Sequence, residues 1–148
     1  MSNLSKVWVY QSDREIKLRE SHSIQRQLID FCDNWKTHGQ QLHSSFKIDN
    51  WFVCILVDES HTQISGCSID ESIHLIKDIG KKYNINFFNR THIAFIDNGI
   101  TQVLPLSKFK AIMHDKIIIY DNTISTKQEL ETSWKIAVSE SWLQSKMF

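Results

Sequence analysis

Residues 51–57, Trp51-Phe-Val-Cys-Ile-Leu-Val57, are apolar at every position. A strand with one face in water alternates apolar and polar residues, so a run without alternation has no face to give to solvent. The run predicts a strand buried on both faces and placed centrally in its sheet. It is far too short to cross a bilayer, which takes roughly 20 residues.

The rest of the chain arranges itself around that strand. Residues 44–48 precede it, and Asp49-Asn50 supplies a two-residue turn, so the pair reads as a hairpin. A second hairpin joins Thr91–Asp97 to Ile100–Leu104 through Asn98-Gly99, the strongest short-range hairpin signal in the chain. Lys6–Gln11 reads as a short strand and Ile117–Tyr120 as another. Ile24, Leu28, Phe31 and Trp35 form one stripe of a helix over residues 19–38, with Gly39 placed to end it. Ile69, Ile73, Ile76, Ile79 and Tyr83 mark the core side of a helix over 69–83. Pro105 stops a strand and Ser107 caps a short helix to about His114. Thr126-x-x-Glu129 is a capping box for a helix running to Trp134. The order is β-α-ββ-α-ββ-α-β-α. It predicts an α+β fold with a mainly antiparallel sheet of five or six strands, built from the two hairpins, and helices mostly on one face.

At 148 residues, with one proline, four glycines and no linker-like tract, the chain is expected to be a single domain over 1–148. Lys and Arg number 17, as do Asp and Glu. A neutral chain has no electrostatic footprint for nucleic acid or anionic lipid, so neither nucleic acid nor membrane is expected as a partner. Locally the charge is uneven. Residues 58–78 hold Asp58, Glu59, Asp70, Glu71 and Asp78 against Lys77, whereas 81–110 hold Lys81, Lys82, Arg90, Lys108 and Lys110 against Asp97. The three cysteines, Cys32, Cys54 and Cys67, cannot all pair, and the N-terminus has no apolar signal core, so the cytoplasm is the expected location.

Chemistry concentrates in Val57-Asp58-Glu59-Ser60 and Ser65-Gly66-Cys67-Ser68-Ile69-Asp70-Glu71, where the central strand hands over to a helix. Loops at strand ends beside helix starts are common ligand positions. Asp58, Glu59, Ser60, Ser65, Gly66, Ser68 and Asp70 are the candidate ligand-binding residues. Read structurally, Ser68-x-x-Glu71 is a capping box, Asp70 complements the helix dipole and Gly66 eases the turn. Read chemically, Cys67 sits where a helix N-terminus favours thiolate, with His38 or His61 as its base; the acidic residues around it act in the opposite sense. Asp58, Glu59 and Asp70 do not make a full Mg²⁺ ligand set. Cys32, His38 and His43 do not have a zinc spacing. No metal and no cofactor is expected.

Among the five tryptophans, Trp35 and Trp51 belong to core elements, while Trp8, Trp134 and Trp142 are free to mark a partner surface. Phe109 between Lys108 and Lys110 is the one aromatic–basic cluster. An apolar tail running through Trp142 to Phe148 is expected to dock on the body or on a second subunit.

Six segments spread over nearly the whole chain, Val7-Trp8-Val9-Tyr10-Gln11, Trp35-x-x-His38-Gly39, Val57-Asp-Glu-Ser60, Ser65-Gly-Cys-Ser-Ile-Asp70, Thr126-Lys127 to Trp134, and Ser141-Trp142, resemble a group of short uncharacterised bacterial proteins sometimes labelled ABC transporter ATPases. The resemblance implies no catalytic residue, because the group has no established activity. Cys54-Ile-Leu-Val-Asp58-Glu59 does look like a Walker B strand, and Ile64-Ser-Gly-Cys-Ser68 faintly like an ABC signature. A phosphate loop, however, needs G-x-x-x-x-G-K-S/T, and Gly80-Lys81 is followed by Lys82 with Leu75 at the first glycine position. The two echoes also stand in the reverse of ABC order. The expectation is therefore a binding or interaction protein, self-associating or engaging a protein partner and not an ATPase. The alternative is a small enzyme or thiol-reactive protein using loop 58–70.

Overall fold

The computed structural model describes residues 1–144. The central strand is β5 (Phe52–Asp58), and all seven of its residues are buried. It pairs antiparallel on one side with β1 (Lys6–Gln11) and on the other with β4 (His43–Ile48), giving a three-stranded sheet in the order β1-β5-β4.

Its two faces have different covers. Val53, Ile55 and Val57 join Ile24 and Leu28 of α1 (Leu18–Asn34) and Ile76 and Ile79 of α2 (Gly66–Tyr83) in one core cluster. Phe52, Cys54 and Leu56 point the other way, into a cluster with Ala94, Val103, Tyr120 and Trp134. Those residues belong to or border a second antiparallel sheet made of β6 (His92–Asp97), β7 (Ile100–Pro105), β8 (Ile118–Tyr120) and β9 (Lys135–Ala137), ordered β7-β6-β8-β9. Phe52, Tyr120 and Trp134 form an aromatic triangle at the junction, with ring centroids 4.7–4.9 Å apart. The far face of the second sheet packs Ile93, Phe95 and Ile119 against Phe109 of α3 (Leu106–Ile112) and against Val138 and Leu143. α4 (Lys127–Thr132) contributes Leu130 to the cluster between the sheets.

The fold is α+β and antiparallel, as expected, but the single five- or six-stranded sheet is replaced by separate sheets. β1 and β4 occupy both edges of β5, so the second hairpin has no edge to join; it stacks over the β5 face instead and recruits β8 and β9. The two long helices, α1 and α2, share one face of the β5 sheet, while α3 lies beyond the second sheet and α4 packs against the cluster between the two. The first helix ends at Asn34, four residues before its predicted end. Trp35 leaves the helix in an extended conformation, and its indole Nε1 donates to Ser68 O at 3.0 Å. His38 and Gly39, with φ of 49° and 77°, then form the turn of a short hairpin, β2 (Lys36–Thr37) with β3 (Gln40–Gln41), that the helical stripe concealed. The β4–β5 turn sits one residue later than predicted: Asp49 pairs with Phe52, and its carboxylate accepts from the N–H groups of Trp51 and Phe52, both at 2.8 Å. α3 starts directly after Pro105 and ends at Ile112, and Thr126 caps α4 as expected by accepting from Glu129 N–H at 3.2 Å. The expected docking of the tail to Phe148 lies, beyond Gln144, outside the described residues.

Because β5 is packed on both faces, truncation on either should be equally damaging. Ile55→Ala opens a cavity toward the helices and Leu56→Ala one toward the second sheet. Each is expected to cost about 2–5 kcal/mol in urea unfolding; a loss below about 1 kcal/mol for either would mean that its face is not core.

Candidate functional site

The loop after β5 is held by the very carboxylates that drew attention to it. Asp58 is 7% exposed. Its Oδ1 accepts from the N–H (2.9 Å) and hydroxyl of Ser60, and its Oδ2 accepts from Ser2 N–H at 3.0 Å with His43 Nδ1 at 3.8 Å. These donors, the Ser60 hydroxyl foremost, hold the Asp58 carboxyl well below the usual carboxylate range. Glu59 accepts from Ile64 N–H at 2.9 Å and pairs with Lys6 Nζ at 3.1 Å. Both acids thus tie the loop and the N-terminal segment to β5.

Ser65, not Ser68, caps α2. Its Oγ accepts from Ser68 N–H at 3.2 Å, and Gly66 opens the helix. The expected Ser68–Glu71 box does not form, because Ser68 lies inside the helix and is buried against the β2–β3 hairpin. There the hydroxyls make a directed chain: Thr37 donates to Ser65 (2.7 Å), Ser65 to Ser68 (3.1 Å), and Ser68 to Lys36 O (2.7 Å). Each hydroxyl hydrogen has an acceptor. Cys67 and Asp70 are exposed on the same helical turn, and His38 and His61 are exposed on the hairpin and the loop. No hydrogen bond joins Cys67 to either histidine. Among the described residues no group of three or more His, Cys, Asp or Glu could hold a metal ion. Gly80-Lys81 lies in the last turns of α2, where carbonyls, not N–H groups, emerge, so it offers no phosphate cradle.

A different concavity runs along β1. It is a cleft of about 630 Å³ bounded by Trp8–Gln11 on one side, by β6 and residues 119–123 on the other, and by residues 87–90 at one end. Its walls are largely aromatic and aliphatic: Trp8, Tyr10, Phe88, Ile119, Tyr120 and Trp142. Phe88 is 41% exposed and meets Tyr10 edge-on, with centroids 5.6 Å apart. Residues 85–88 lie close to α2 because Gly80 has no side chain; a Cβ there would stand 2.6 Å from Ile85 O. Polar lining comes from Gln11, Asn89, Arg90, His92 and residues 121–123. Gln11, buried, donates to His92 O at 3.2 Å and accepts from Asn122 Nδ2 at 2.8 Å, and Asn122 in turn accepts from Trp134 Nε1 at 2.9 Å.

Of these residues the sequence pointed to Trp8 and Trp142 as surface aromatics. Phe88 and Asn122 carry no motif, Gln11 appears only inside a resembling segment and Arg90 only in a basic stretch; the pairing of strands distant in sequence is what brings them together. Phe109, the aromatic of the basic cluster, is fully buried.

No helix among the described residues is long and apolar enough to cross a membrane.

Two measurements check this account. Cys54 is pushed up to about 12 by burial and Cys32 is raised for the same reason, so a thiol reagent should label one cysteine in the folded chain, Cys67. Asp58 and Glu20 have folded-state pKa values below their ordinary values of 3.8 and 4.5; Glu20, hydrogen-bonded to Arg14, falls to about 2. A carboxyl held low stabilises the fold above its unfolded value and loses that contribution as pH falls through the folded one. The melting temperature should therefore drop from about pH 4.5 downward, and Asp58→Asn should lower it at neutral pH while flattening the acid slope. An unchanged acid slope in that variant would contradict the bonding described.

No protein-family model, no curated protein and no solved structure matches the chain.

Proposed function

We propose that this is a non-catalytic binding protein that receives its partner or ligand in the cleft along β1. The observation that carries the reading is the cleft itself: about 630 Å³ of mostly apolar, aromatic-lined space with polar residues at Gln11, at 89, 90 and 92, and at 121–123. That combination is the usual composition of a binding site. The alternative site in loop 58–70 finds less support, because Asp58, Glu59, Ser65 and Ser68 are engaged in holding the loop, the helix start and the hairpin together. Absence of ATPase activity is part of the same proposal, supported by the missing phosphate loop. Self-association belongs to it as one form that binding could take, and membership of the short bacterial group stands as a proposal on the resembling segments.

The five tryptophans provide a built-in test. Trp8 and Trp142 line the cleft, whereas Trp35 and Trp51 do not. Small apolar fragments titrated into ¹⁵N-labelled protein should move the indole N–H signals of Trp8 and Trp142 first and leave Trp35 and Trp51 in place. Fragments that shift all five equally, or none, would remove the cleft from consideration.

A further inference from the structure

The long side of the cleft is the outer edge of β1, and the register states which of its backbone groups face outward. Ser12 N–H donates to Trp51 O at 2.8 Å, so the Ser12–Trp51 pair is hydrogen-bonded, and by alternation so are Tyr10–Val53 and Trp8–Ile55. The N–H and C=O groups of residues 7, 9 and 11 then point away from β5. Val7 confirms the parity, because its N–H donates outward to Ser125 O at 3.0 Å, beside the Lys6–Thr126 bridge. Beyond that bridge no described segment pairs with the edge. The backbone N–H and C=O of Val9 and Gln11 have no hydrogen-bond partner among the described residues, although both residues line the cleft.

An open sheet edge inside an apolar cleft is the arrangement that accepts an added strand, with backbone hydrogen bonds giving affinity and side-chain pockets giving selectivity. Charge narrows the class. Arg90, at the end of the cleft beside Phe88, has no carboxylate partner among the described residues. Asp121, on the opposite wall, is engaged by the N–H and hydroxyl of Thr123. We propose that the cleft binds an extended, apolar peptide segment of a partner protein, bearing an acidic residue, which adds as a strand to β1 through Val9 and Gln11 while the acidic residue meets Arg90. This rests on the reading of the cleft as the binding site and names its occupant.

The test uses the full chain and a synthetic peptide of alternating valine and threonine with a glutamate at each end. Binding should protect the Val9 and Gln11 amides from hydrogen exchange. Methylating alternate peptide nitrogens, which removes donors and keeps side chains, should weaken binding roughly tenfold or more. Val9→Pro on the protein should do the same: the lost N–H is the outward one, and proline is tolerated on an edge strand in that position. If this variant does not fold, the methylated peptide decides alone. Equal binding of the methylated peptide, or binding without amide protection, would overturn strand addition while leaving the cleft reading intact. Equal binding of a glutamine-for-glutamate peptide, or of the peptide to Arg90→Gln, would overturn the acidic preference. Val9 and Gln11 amides already protected in a dimer would show the edge filled by a second copy and overturn the foreign partner. If neither this peptide nor the apolar fragments move Trp8 and Trp142, both the occupant and the cleft reading fail together.

Discussion

The architecture depends on a strand that cannot touch water. β5 offers Val53, Ile55 and Val57 on one side and Phe52, Cys54 and Leu56 on the other, and all six are buried. Burying a side chain of this size is favourable by about 1.5–3 kcal/mol, so leaving either face wet would forfeit several such contributions. One pair of helices can cover only one face. The second sheet answers the other, and its own reverse face then requires α3 and the segment around Val138 and Leu143. The four layers follow from one apolar heptapeptide and its consequences.

What the sequence disclosed and what it withheld divide along the range of the interactions. Asn98-Gly99 dictates its hairpin because both residues must adopt positive φ, 51° and 75°, a requirement local to the turn. Thr126 and Glu129 likewise settle the start of α4 between themselves. The burial of residues 52–57 was legible because the absence of alternation is a local pattern too. The identity of the second cover was not, since Ala94, Tyr120 and Trp134 read equally well as members of one larger sheet. Trp35 shows the same limit in reverse. Its spacing from Leu28 and Phe31 fits a helical stripe, yet the indole is buried by leaving the helix and donating to Ser68 O, and a contact 33 residues away leaves no mark on periodicity.

The acidic loop teaches a related lesson about candidate sites. Asp58 and Glu59 follow an apolar strand, a setting in which carboxylates often meet ligands. Here the chain itself supplies the donors: Ser2, Ser60, Ile64 and Lys6 satisfy them. Asp58, with the Ser60 hydroxyl foremost among its donors, is stabilised in its charged form and makes a poor general acid. Distinguishing a ligand-ready acid from an anchoring one needs the positions of Ser2 and Lys6, which sequence proximity to Asp58 cannot provide.

Sheet edges explain why the opening lies where it does. An exposed edge invites unwanted pairing, and proteins shorten, charge or cover it. β4 packs beside α1 and carries Lys47, and β7 ends in a proline. On β1 the cover comes from residues 125 and 126, which pair at Lys6 and Val7 and then give way to the turn at 121–123 that leads back to β8. The Gln11–Asn122 side-chain bond links the two walls further along without reaching the Val9 backbone. Among the described residues, backbone cover is therefore present at Lys6 and Val7, while the outward N–H and C=O groups of Val9 and Gln11 meet no partner, and Arg90 stands at the end of the aromatic lining. The Phe52–Tyr120–Trp134 triangle joins the two sheets beside those unpartnered groups.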